Sequence, residues 1–183
     1  EEGWVRDLSG LTLKNVNVRL LAGKPPTETA SRFGEMLFTH TGLSGPIILT
    51  ISRYVPVDPR TVPSIIELDL KPALTDEALH ARLIRDFAHR GSLGAYLRRL
   101  VPRSLADVLV SVLKLDAGRG LHQVTAEERR RIVDGLKRLR FRVRSLAPIE
   151  EAIVTAGGVA LNEVDPRTMM SRRVGGVFFA GEV

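Results

Sequence analysis

Along LTLKNVNVRLL, residues 11–21, apolar and polar side chains alternate as in a half-buried strand. Leu11 and Leu13 have one parity, however, and Val16, Val18 and Leu20 the other. A bulge near Lys14 and Asn15 restores a single buried face. GEMLFTH, residues 34–40, predicts a second strand. SIIELDLK, residues 64–71, predicts a third, with Ile66, Leu68 and Leu70 alternating with Glu67, Asp69 and Lys71. Between them GPIILTISRY is too short for periodicity to separate a helix from another strand.

From Thr75 onward the period becomes helical. Thr75 is positioned as an N-cap, with Leu79, Leu83, Ile84 and Phe87 on the face that follows, up to Gly91. A short helix carries Leu93, Tyr96, Leu97 and Leu100. Pro102 suits the first turn of the next, whose stripe is Leu105, Val108, Leu109, Val112 and Leu113 before Gly118 and Gly120. Thr125 to Glu128 form a capping-box pattern ahead of Ile132, Val133, Leu136 and Leu139. Each helix is too short to persist alone, so they share a core. Leu139, Phe141 and Val143 then alternate with Arg138, Arg140, Arg142 and Arg144, a returning strand with a basic outer face. Strands, helices and a returning strand predict an α+β fold, a helical subdomain inserted into a small sheet or β-barrel. The last ten residues, VGGVFFAGEV, read as a buried strand that delivers a glycine and an acid at its C-terminal tip.

The chain has 183 residues, 44% of them hydrophobic, enough for a packed core. No run approaches the ~20 apolar residues of a membrane span, and EEGWVRDLSG resembles no targeting peptide, so a cytoplasmic protein is expected. The absence of cysteine excludes disulfides, thiolate metal sites and thiol chemistry, and leaves any redox function to a cofactor. The net charge of +6 is concentrated in EERRRIVDGLKRLRFRVRSL, residues 127–146. Phe141 is the one aromatic inside that run, so a solvated basic face is favoured over a phosphate-binding surface.

Catalytic signatures are scarce. The chain contains no P-loop, no zinc-protease pattern, no nucleophile elbow and no G-x-G-x-x-G. His40, His80, His89 and His122 lack second ligands at metal spacing, so no metal site is expected. Thr39 to Pro46 is either a tight turn or a loop offering N–H groups to a ligand. Gly157-Gly158, after Ile153-Val154, pose the same choice between a hairpin turn and bare backbone for a cofactor ring.

In this order, LSGLTLKNVNVRLL, FGEMLFTHTGLSGPIIL, EEAIVTAGGVALNEVDPRTMMS and GVFFAGEV resemble the BaiN-like or aminoacetone-oxidase-like flavoproteins, bacterial FAD-dependent oxidoreductases. The resemblance implies a Rossmann-type FAD domain split by a barrel-plus-helical insert. Residues 1–73 would be the first part of the barrel, 74–138 the helical subdomain, 139–147 the returning strand and 148–183 an incomplete C-terminal part of the FAD domain. On this reading the chain is a fragment without its N-terminal FAD domain, and is inactive alone.

The resemblance also implies site residues. Gly181 and Glu182 would approach the ribityl and diphosphate of FAD, and Thr155, Ala156, Gly157 and Gly158 the isoalloxazine. Thr41, Gly42, Leu43, Ser44 and Gly45 would face flavin or substrate, with His40 beside them as the candidate acid or base. The expected activity is redox chemistry on a small organic substrate, with NAD(P)H or dioxygen as the other electron partner and no nucleic acid or membrane involved. The alternative is a basic β-barrel module that binds RNA or another polyanion.

Overall fold

The computed structural model describes residues 3–56, 59, 61–148, 150, 152 and 157–181. It divides into two compact units, Glu1–Ala147 and Pro148–Val183.

In the first unit, β1 (Thr12–Ala22) contains the bulge its parity change demands. Asn15 takes φ 56, and the pairing steps from Leu13 opposite Met36 to Val16 opposite Gly34. Beyond it Val16, Val18, Leu20 and Ala22 all turn inward and are buried. β2 (Thr27–Phe38) is longer than GEMLFTH suggests and stops before Thr39 and His40. Its first half, TETASRF, presents mostly polar residues, and its pairing with β1 extends it. GPIILTISRY is a helix, α1 (Pro46–Ser52), which buries Ile47 and Ile51 one turn apart.

Leu43–Ser44 form the short β3, and Ser64–Asp69 and Leu139–Arg142 form β4 and β5. All pairs are antiparallel, in the order β3-β2-β1-β4-β5. Two strands separate β2 from β5, about 14 Å in a flat sheet. Yet the rings of Phe38 and Phe141 lie 6.0 Å apart, so the sheet curls into a half-barrel. A 3-10 helix, Gly3–Leu8, adds Trp4 to this cluster at 5.2 Å from Phe141, an element the sequence pattern did not predict. Among the described residues the sheet stays open, with β3 and β5 at its edges.

The helices are α2 (Asp76–Phe87), α3 (Leu93–Leu100), α4 (Arg103–Val112) and α5 (Ala126–Lys137). Thr75, Ser92 and Thr125 cap α2, α3 and α5 through their side chains, and Thr125 with Glu128 completes a capping box. Pro102 sits at the N-cap of α4, one position before the first turn. Ile84 is 51% exposed, because it lies about 100° round α2 from Leu83 and outside the narrow seam of Leu79, Leu83 and Phe87. Val112, at the last position of α4, is also exposed. Helices and strands share one hydrophobic core, running from Val18 and Leu68 through Leu79 and Leu97 to Leu136. Among the described residues no helix is long and apolar enough to cross a membrane.

The second unit is built of turns. After a 3-10 helix, Leu161–Glu163, the chain pairs Met170 with Phe178 and Val164 with Ser171 in isolated bridges. The expected buried strand in VGGVFFAGEV does not form among the described residues: Val177 and Phe178 are exposed. Its apolar residues alternate onto both faces, so burial requires a layer on each side. Val164 and Ser171 are the buried residues among those described in this unit.

Candidate functional site

The chain leaves β2 through a turn that bonds the amides of Thr39, Thr41 and Gly42 within itself. Thr39 N donates to Gly42 O at 2.8 Å. The Thr39 hydroxyl accepts from Gly42 N at 3.0 Å and from Thr41 N at 3.3 Å. Leu43 and Ser44 then pair with Phe38 and Leu37. Gly45 closes the turn at φ 94, where a Cβ would stand 2.9 Å from Met36 Cα and 3.0 Å from Leu37 N. His40 and Thr41 are exposed, while Gly42 to Gly45 are half-buried.

A denser arrangement of polar groups lies on the outward face of the sheet, where the registers align side chains in rows. Phe33, Asn17 and Asp69 make one row, and Ser31, Arg19, Glu67 and Arg140 the next. Glu67 is buried beneath two guanidiniums. Arg19 Nη2 donates to Oε1, and Arg140 Nε donates to Oε2 at 2.7 Å. Asn17 and Asp69 open onto a cleft of about 500 Å³ that is also lined by Arg19, Thr75, Asp76, Lys137 and Arg138.

The cations here are internally committed. Lys137 Nζ donates to Asp69 Oδ2 at 2.6 Å, to Leu74 O at 2.6 Å and to Lys71 O at 3.0 Å. Arg138 bridges Asp76 at 2.6 Å and Asp134 at 2.7 Å. That hydrogen bond, more than any other influence, holds the Asp76 carboxyl below its ordinary range and pushes the guanidinium upward in turn. Lys71 donates to Leu100 O at 2.6 Å, and burial, then Arg82, lower its pKa. Arg129 and Arg131 cap the carbonyls of Val124 and Leu113, at 2.7 and 2.9 Å. Much of the basic run therefore ties the fold together and is not a free solvated face.

The model of the HI0933-like protein barrel and H2TH domain matches residues 1–154. The chain belongs to the HI0933-like family. This is a family of FAD-dependent oxidoreductases, in keeping with the resemblance of its motifs. The chain is similar to a ribosomal RNA dihydrouridine synthase of Haemophilus influenzae, 29% identical over 179 residues, which are 96% of this chain and 40% of the relative. It is similar also to a ribosomal RNA dihydrouridine synthase of Escherichia coli, 31% identical over 149 residues, 81% of this chain and 35% of the relative. It thus spans 40% or less of the length of these relatives.

In this HI0933-like chain the turn of residues 41–45 belongs to the first unit, and the glycines that the motif resemblance sets near a flavin to the second. Thr155, Ala156 and Glu182 lie outside the described residues. Gly157, Gly158 and Gly181 are exposed, with φ of 118, 104 and 88. A Cβ on Gly157 or Gly181 would meet nothing within 4 Å. Such bare backbone admits a planar ring. The described glycines offer no side-chain donors, however, and do not by themselves compose an FAD site. No cluster of metal-ligating residues occurs among the described residues. Asn17, Arg19, Glu67 and Asp69 are not legible as site residues in the sequence, because alternation alone marks such strand positions as solvent-facing, and Lys137 is one basic residue among several on a helix. For Arg19 and Glu67 the signal is the pairing register, which places opposite charges on facing strands.

Proposed function

We propose that this chain supplies the barrel and helical part of an FAD-dependent oxidoreductase that reduces a uracil base in RNA. The observation that supports it is the family match across residues 1–154, together with relatives named ribosomal RNA dihydrouridine synthase. Converting uracil to dihydrouracil adds two electrons and two protons across one carbon–carbon double bond. FAD, when bound, supplies that redox chemistry, with a reduced nicotinamide nucleotide as the source of electrons. The chain's own contribution is position: it shapes the substrate pocket around chemistry that the remainder of the flavin site performs.

The substrate inferred is thus a nucleic-acid base in place of the small organic molecule that the motif resemblance implies. A stand-alone polyanion-binding module is less well supported. Arg129, Arg131, Lys137 and Arg138 are already bonded within the fold.

The test is spectroscopic. The purified intact protein should carry flavin absorbance that bleaches with reduced nicotinamide nucleotide. A protein that stays colourless after incubation with FAD overturns the reading.

A further inference from the structure

Phe33 is out of place in the centre of a strand. Its ring is 62% exposed, with no core to fill, on a face where its row partner is Asn17. A single exposed apolar residue is ordinary; its surroundings are not. Asn17 exchanges hydrogen bonds with Ser31, Nδ2 donating to Oγ at 3.2 Å and the hydroxyl returning to Oδ1 at 3.4 Å. That pair bridges β1 and β2 next to Phe33, and Asn17 also lines the cleft of about 500 Å³ with Arg19 and Asp69.

Charge on this face is layered. Two acids lie beneath: the Glu67 side chain is 3% exposed and that of Asp69 15%. The cations lie above: Arg19 is 35% exposed and Arg140 58%. Arg142, exposed, continues the row of β5 opposite Ile65. Of the exposed acids of β2, Glu28 pairs with Arg19 at 3.8 Å and Glu35 lies two residues from Phe33, so the cations left facing a ligand are those of β5. Solvent therefore meets an aromatic ring, a carboxamide and guanidiniums on one face that spans four strands.

We infer that the outward face of β1, β2, β4 and β5 docks single-stranded RNA, with one base stacked on Phe33 and the phosphodiester backbone led across Arg140 and Arg142. An aromatic ring on one strand and guanidiniums beyond the next two strands of the same face suit a single strand, because every base offers a π-face and every linkage a negative charge. A duplex presents no free base face to Phe33. This inference rests on the RNA-directed reading above and adds the surface that holds the substrate strand.

The test measures fluorescence anisotropy of a labelled single-stranded uridine-rich oligoribonucleotide with the purified, flavin-loaded protein, as a function of salt. Dihydrouridine formation on ribosomal RNA is followed in the same preparations. Phe33→Ala should weaken binding about ten-fold or more, and Phe33→Trp should restore it. Arg142→Gln should flatten the slope of log K against log salt by about 0.7. Ile84→Ala, on an exposed helix face, should change neither. If the wild type forms dihydrouridine while Phe33→Ala and Arg142→Gln bind as it does, the surface is wrong and the enzymatic reading stands. If the wild type binds and the variants weaken without any dihydrouridine appearing, the surface stands and the reaction does not. If the wild type neither binds nor reduces RNA, both fall. Loss of flavin from Phe33→Ala in place of RNA affinity would mark a protein–protein face and overturn the inference.

Discussion

Lys137 Nζ donates to Asp69 Oδ2 at 2.6 Å, joining residues 68 positions apart and fastening the end of α5 to the end of β4. The lysine is buried, and Asp69 Oδ1 is itself occupied by Lys71 N at 2.8 Å. Lys137→Met would strand one carboxylate and two carbonyl oxygens in a poorly solvated place. We expect a loss of about 3 kcal/mol, read from the urea midpoint at constant m-value.

Glu67 offers the opposite case. Its partners Arg19 and Arg140 both reach water. Glu67→Leu should therefore cost less than about 1.5 kcal/mol, since the freed guanidiniums are solvated and an apolar side chain fills the site. A loss equal to that of Lys137→Met would contradict this distinction.

Gly45→Ala combines a left-handed backbone with a Cβ 2.9 Å from Met36 Cα, a contact that no rotamer relieves. A destabilisation of about 3 kcal/mol is expected in equilibrium unfolding. Gly3→Ala, with nothing within 4 Å, should be silent.

Stability should fall at both extremes of pH through one contact. The Tyr96 hydroxyl donates to Asp86 Oδ2 at 2.7 Å. Burial first, and Asp86 second, push Tyr96 up to about 12, so its contribution is complete below about pH 10 and is lost as pH rises through 12. The same hydrogen bond, followed by Arg82 and Arg85, holds Asp86 below its ordinary range. Its contribution is present above about pH 4 and is lost as pH falls through the depressed value. Tyr96→Phe should remove the alkaline loss and shrink the acid one in urea titrations across pH.

Where local chemistry dictates structure, the sequence was readable. Thr125 and Glu128 announced the start of α5, and the parity change around Asn15 announced the bulge in β1. Non-local partners decided the rest. TETASRF becomes strand because β1 offers a ladder, and Glu67 is buried because Arg19 and Arg140 come to it from neighbouring strands. Phe178, apolar yet exposed, shows the reverse: a strand-like run without a layer on either side remains open. The turn at Thr39 to Gly45 was locatable from its glycines and threonines. The amides of Thr41 and Gly42 are accepted by the Thr39 hydroxyl, which composition cannot reveal.

The most direct measurement incubates the flavin-loaded protein and reduced nicotinamide nucleotide with ribosomal RNA from cells lacking the gene. The RNA is then digested and its nucleosides weighed by mass spectrometry. A uridine heavier by two hydrogens, dependent on both flavin and reductant, is expected. Flavin that turns over with dioxygen or a small molecule while the RNA gains no hydrogen would contradict it.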